Sequence, residues 1–228
     1  QIESLILDGV DAIIVDPGSA SGLNGAIEKA EKAGIPVIII NDGPVTTDKC
    51  YQINFDTAQM AKKAADYLVK ALDGKGNVIE MRGMAGVPFD EDFHNALIEV
   101  LAANPGINVV GEVYAEWTRS VAQKQVASIL PGLKQVDGVV GQGGDAYGAL
   151  QAFIADGRDL PIVIGGNRGN FLQWWSEEKA KSGYETFSWA ANPWDAASAL
   201  YVAVDILEGV EVPRIMIMPA LNVTQDMV

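Results

Sequence analysis

Short apolar runs alternate along this chain with longer stretches in which apolar residues recur every three or four positions. The runs lie at 11–15 (DAIIV), 36–40 (PVIII), 77–81 (NVIEM), 107–114 (INVVGEVY), 137–141 (DGVVG), 161–165 (PIVIG) and 184–190 (YETFSWA). Helical periodicity fills the intervals at about 20–33, 56–72, 90–103, 119–134, 145–156, 168–181 and 193–208. Strands alternating with helices of this length predict βαβ units, an α/β fold class and a largely parallel sheet. The run at 36–40 is too short to span a membrane and too apolar for a half-solvated strand, so it predicts a strand of the core. Gly34, Gly74 and Gly157 stand where helix C-caps belong.

Residues 1–8 read as the tail of a helix, with Ile2, Leu5 and Ile6 on one face and Gly9 as its stop. No strand precedes it. A doubly wound sheet without its first strand would have a hole in its packing. The pattern therefore predicts a β-α-β segment of roughly 30 residues or more upstream of residue 1.

Composition narrows the function. With 228 residues, 49% of them hydrophobic, the chain can build a sizeable core in one or two domains. Thirty acidic against sixteen basic residues, a net charge of −14, argue against a nucleic-acid partner. A single cysteine, Cys50, excludes an internal disulfide and a cysteine metal cluster, and reads as a small buried residue. A single histidine, His94, speaks against a histidine metal site or a catalytic triad and reads as structural. No catalytic residue, metal or cofactor is expected.

In an open parallel sheet, ligands bind beyond the carboxyl ends of the strands. The residues there are Asp16-Pro17-Gly18-Ser19, Asn41-Asp42, Arg82-Gly83 leading to Phe89-Asp90-Glu91-Asp92, Glu116-Trp117-Thr118-Arg119, Gln142-Gly143-Gly144-Asp145, Gly166-Asn167-Arg168, and Asn192 with Trp194 and Asp195. Carboxylates, amides and guanidinium groups exchange hydrogen bonds with hydroxyls, and indole rings offer a flat apolar face to sugar C–H groups. This set suits a small polyhydroxylated ligand. Simpler readings stand beside it. Asp16 to Ser19 suit a turn and helix cap. Asp42 before Gly43-Pro44 suits a plain turn. Asp90, Glu91 and Asp92 suit a helix's first turn as well as a ligand. Trp174 and Trp175 read as covering a surface or a seam between lobes.

The segment "DGVDAIIVDPGSASGLNGAIEKAEKAGIPVIIIND" resembles the ribose- and galactose-type periplasmic solute-binding proteins of sugar ABC transporters, the type I family. "GNVIEMRGMAG", "GVVGQGGDAYGALQAF", "LPIVIGGN", "AANPWDAASAL" and "ALNVTQDMV" follow in family order. The resemblance implies a two-lobed fold, each lobe a parallel sheet flanked by helices, with the family's opening β-α-β segment absent. The first lobe would hold 1–55 plus 192–218, and the second 56–191 plus 219–228. Ligand would sit in the cleft between the lobes and be held by hinge closure. The partners implied are a small sugar or polyol and the membrane permease of an ABC transporter, with a monomeric receptor exported to the periplasm by a signal peptide upstream of residue 1.

Candidate ligand-binding residues are Asn41, Asp42, Phe89, Asp90, Glu91, Trp117, Asp145, Asn167 and Asn192, with Trp117 matching the family's aromatic wall. Where ribose receptors carry Asp-Arg this chain has Asn41-Asp42, and Asp90-Glu91 replace a further arginine. Those departures favour another pentose, a sugar alcohol, a furanose or an amine-bearing ligand. Two further roles share the fold: the inducer-binding core of a lactose-repressor-type regulator, and a sugar or autoinducer sensor.

Overall fold

A computed structural model describes residues 1–40, 45–191 and 194–228. In chain order the first elements are α1 (Ile2–Asp8), β1 (Ile13–Val15), α2 (Asn24–Lys32), β2 (Val37–Ile40), β3 (Tyr51–Phe55), α3 (Thr57–Ala71), β4 (Gly76–Arg82), α4 (Pro88–Ala102) and β5 (Ile107–Tyr114). There follow α5 (Arg119–Ile129), β6 (Gly138–Gly141), α6 (Ala146–Asp156), β7 (Ile162–Ile164), α7 (Gly169–Ser182), β8 (Ser188–Ala190), α8 (Asp195–Leu207), β9 (Ile215–Met218) and β10 (Leu221–Val223). Among the described residues no helix is long and apolar enough to cross a membrane. The chain forms two compact units. One comprises Gln1–Asp56, Gly86–Phe89 and Ala191–Ala220, the other Thr57–Ala85, Asp90–Ala190 and Leu221–Val228.

The first unit is built on a parallel sheet of order β1-β2-β3-β9. All four residues of β2 are buried. Successive side chains of a strand point to opposite faces, and here both faces are covered. Val37 and Ile39 join Ile27 and Ala30 of α2 and Ile2 of α1. Ile38 and Ile40 join Ile53 of β3 and Ala199 and Ala203 of α8. Each buried aliphatic side chain contributes roughly 1.5–3 kcal/mol, which explains why this strand reads as an unbroken apolar run. Cys50 lies buried in the α2 layer.

Strand β3 has no such signature, because Gln52 and Asn54 interrupt it; both are nevertheless buried. Gln52 Oε1 accepts the Val45 N–H at 3.1 Å, and its Nε2 donates to the Val45 carbonyl at 3.4 Å. A buried amide satisfied in this way can sit inside a sheet.

The second unit carries a parallel sheet of order β5-β4-β6-β7. On one face Ile79, Met81, Val139 and Val163 pack with Val126, Leu150, Phe153, Phe171 and Trp175 from α5, α6 and α7. Trp175 therefore belongs to the core and covers no surface: it is fully buried, and its indole N–H donates to Gln225 Oε1 at 3.0 Å. Trp174 is half-buried and meets Tyr184 edge-on at 5.0 Å.

Three expectations change. The helix expected over 119–134 stops at Ile129 and tightens into a 3-10 turn over Leu130–Gly132, since Pro131 cannot continue an α-helix. The strand expected over 184–190 is confined to β8. Its first half lies beside β7 but is held by side chains: Tyr184 Oη donates to the Pro161 carbonyl and accepts the Val163 N–H, and Thr186 Oγ1 donates to the Val163 carbonyl. The third is β8 itself, which pairs antiparallel with β10 and meets the main sheet through the Gly165–Ser188 bridge.

Candidate functional site

Among the described residues, most of the candidates gather in the second unit, at the carboxyl ends of β4, β5, β6 and β7. A polar scaffold holds the first of these ends. Arg82, the last residue of β4, has a side chain only 7% exposed. Its Nη2 donates to Asp90 Oδ2 at 2.6 Å and to Glu91 Oε1 at 3.1 Å, and the guanidinium lies 5.2 Å from the Tyr114 ring centroid. Asp90 Oδ1 accepts the Gly83 N–H at 2.8 Å. Gln142, following β6, accepts the same N–H at 3.1 Å and donates to the Asp90 carbonyl at 3.2 Å. Asp90 is fully buried, so its carboxylate faces the protein and ties α4 to the end of β4, while its backbone carbonyl ties α4 to the end of β6. Glu91 is half exposed and faces outward.

Trp117 lies over this scaffold. Residues 115–118 form a turn closed by the Thr118 N–H on the Ala115 carbonyl at 2.9 Å. Both central residues hold positive φ, 51° at Glu116 and 48° at Trp117. Side chains rarely adopt this region, and each such residue costs on the order of 1–3 kcal/mol. The turn directs the indole across Gly83, where a Cβ would stand 2.2 Å from Trp117 Cε2, and alongside Gly143, where a Cβ would stand 3.2 Å from Cδ1. Glycine at 83 is thus a condition for seating the ring.

Beside the indole, the loops after β6 and β7 pack backbone to backbone, with the Gly166 N–H donating to the Gly143 carbonyl at 2.5 Å. Asp145 starts α6 from this loop. It is fully buried, and among the described residues neither carboxylate oxygen has a hydrogen-bond partner. Burial pushes its carboxyl up to about 7, against the pull of its own main-chain N–H and of the nearby Arg168. Such a group is an acceptor and, when protonated, also a donor. Asn167, after β7, is held by its Nδ2 donating to the Leu221 carbonyl at 2.8 Å and by its Oδ1 accepting the Ser188 hydroxyl.

The structure therefore brings Asp90, Glu91, Trp117, Asp145 and Asn167 to neighbouring strand ends of one unit. Phe89 is buried and groups with the other unit. Asn41, Asp42 and Asn192 lie outside the described residues. Arg82 and Gln142 stand at strand ends in the sequence and Ser188 within an expected strand, but their service as scaffold depends on partners up to about sixty residues away and has no local signal.

A family model described as "Periplasmic binding protein domain" matches residues 1–211. The xylitol-binding protein of Mycolicibacterium smegmatis is 34% identical over 166 residues, covering 72% of this chain and 48% of that protein. Among solved structures, an ABC transporter solute binding protein from Thermobispora bispora superposes with a TM-score of 0.91 at 31% identity, covering 99% of this chain and 69% of that one. One from Bacillus halodurans with bound myo-inositol gives 0.88 at 25% identity, covering 99% and 78%. The chain spans about half the length of the curated relatives it matches. Match and fold agree that this chain belongs to the periplasmic binding protein family, in its type I sugar-binding branch.

Proposed function

We propose that this chain is the ligand-binding part of an extracytoplasmic receptor for a sugar ABC transporter, and that its ligand is a small sugar or sugar alcohol. The observation that carries this reading is the Trp117 indole, held in a strained turn over Gly83 at the strand ends. A flat apolar ring beside fixed carboxyl and amide groups matches a polyol, which has C–H faces and hydroxyl edges. Glu91, Asp145 and Asn167 would exchange hydrogen bonds with hydroxyls, and a ligand hydroxyl at Asp145 would give its buried oxygens the partner they lack. Asp90 would act through Arg82 and the Gly83 N–H. Asn41, Asp42, Phe89 and Asn192 complete the proposed set, which assigns the lobes as 1–55 plus 192–218 and 56–191 plus 219–228, closing by a hinge on the ligand. A relative that binds xylitol and a structural neighbour holding myo-inositol support the polyol class. The work is binding without chemistry, followed by docking on a membrane permease.

Calorimetric titration with xylitol, myo-inositol, and a panel of pentoses and hexoses tests the proposal. One ligand should bind below millimolar, and Trp117→Ala should weaken it by about tenfold or more, the scale of a lost aromatic contact. Binding unchanged by that substitution would remove Trp117 from the site, and no binding anywhere in the panel would remove the sugar class.

A further inference from the structure

We propose that Glu80, His94 and Glu112 form a binding site for a divalent transition-metal ion of the zinc class, separate from the strand-end site. One ligand atom from each lies within 4.8 Å of the others. Imidazole with two carboxylates is a zinc donor set, leaving a fourth position for water. Tetrahedral zinc with bonds of about 2.0 Å spaces its ligands roughly 3.3 Å apart, so side-chain shifts of about 1 Å would close the set.

The register of the sheet builds this cluster. Asn77 and Val78 of β4 face Asn108 and Val109 of β5, and then the pairing shifts so that Ile79 faces Gly111 and Glu80 faces Glu112. Without the extra residue on β5, Glu80 would have faced Gly111. Bulges of this kind re-aim side chains, and this one sets two carboxylates side by side. Strand alternation turns Glu80 away from the Ile79 and Met81 face, toward α4, which supplies His94.

A second observation comes from Glu80 itself. It lies mid-strand and is 1% exposed. His94 Nδ1 lies 2.7 Å from its Oε1, but Oε2 has no partner among the described residues. Burial and Glu112 both raise the Glu80 carboxyl above its ordinary value, opposed by His94 and more weakly by Arg82, which is itself engaged by Asp90 and Glu91. A like-charged pair with one orphaned oxygen is stable when a cation joins it. His94 is partly exposed and Glu112 exposed, which provides an entry path. Metal would replace the proton shared by His94 and Glu80, so uptake should release protons.

The test is calorimetric titration of ZnCl2 into tag-free, chelator-treated protein at pH 7.5, with thermal unfolding at each zinc level. Wild type should show one saturable site, proton release between buffers of different ionisation heat, and a rising midpoint. His94→Gln and Glu112→Gln should each weaken that site by about tenfold or more. Glu112 is exposed, so its variant remains informative where His94→Gln fails to fold. No saturable site, or a site unaltered in Glu112→Gln, would overturn the proposal and leave His94 as a clamp on Glu80. Neither outcome depends on which sugar, if any, is bound.

Discussion

A methyl group on Gly83 would stand 2.2 Å from Cε2 of the Trp117 indole, in space the ring already fills. Two residues more than thirty positions apart thus share one volume, and the aromatic surface exists because position 83 has no side chain. Gly83→Ala should displace the indole and weaken the sugar or polyol found by titration by about tenfold or more, approaching the loss in Trp117→Ala. Gly143→Ala, where the methyl would meet Cδ1 at 3.2 Å, needs a much smaller displacement and should cost less. Equal affinities for Gly83→Ala and wild type would show that the ring's seat has no bearing on binding.

Asp145 should give the ligand-free protein a distinctive pH dependence. Its carboxyl is raised from 3.8 to about 7, with burial as the first cause. A folded state that holds a proton more tightly than the unfolded chain is favoured below the unfolded value, and this advantage disappears as pH rises through the folded one. Wild type should therefore lose stability relative to Asp145→Asn between about pH 4 and pH 8, reaching on the order of 2–4 kcal/mol. Urea unfolding of both proteins across that range measures it; parallel profiles would contradict it. The same variant should bind ligand more weakly, since it cannot offer a carboxyl.

Asp90 is expected to matter more for folding than its acidic neighbours. Removing it takes the buried carboxylate from the Arg82 guanidinium, leaving the half-exposed Glu91 and the Tyr114 ring, and takes one acceptor from the Gly83 N–H. Breaking one side of a buried pair costs about 3–5 kcal/mol. Chemical denaturation of Asp90→Ala should show a loss on that scale, whereas Asp92→Ala, at an exposed position, should stay within about 0.5 kcal/mol of wild type.

The doubly covered strand β2 makes a packing prediction. Ile38 is fully buried between sheet and α8, so Ile38→Ala should destabilise by about 2–5 kcal/mol in thermal or urea melts. Ile154, on α6, is 52% exposed, and its alanine variant should be nearly neutral. A small effect at Ile38 would mean that its layer collapses around the cavity.

The α/β alternation was legible because it rests on periodicities that each segment carries alone. Val37 to Ile40 announced a strand with two apolar faces, and Gly34, Gly74 and Gly157 take up positive φ at helix ends as their places suggested. Strand β3 stayed hidden because Gln52 and Asn54 are polar residues whose burial depends on partners elsewhere. Tyr184 and Thr186 concealed the opposite error, a strand-like pattern whose hydrogen bonds come from side chains. At the site, Trp117 stood out as an aromatic residue at a strand end. That Asp90 would turn inward to Arg82, and that His94 would find Glu80, could not be read from either neighbourhood.

By itself the sequence determined the α/β alternation, the two-faced burial of β2 and the chemical character of the strand ends, since these follow from the hydrophobicity and backbone preference of consecutive residues. Tertiary structure alone decided which polar groups became scaffold and which kept free valences. The left-handed turn under Trp117, the one-residue shift that sets Glu112 beside Glu80 and the burial of Asp145 are imposed by packing between segments distant in the chain, and no local preference encodes them.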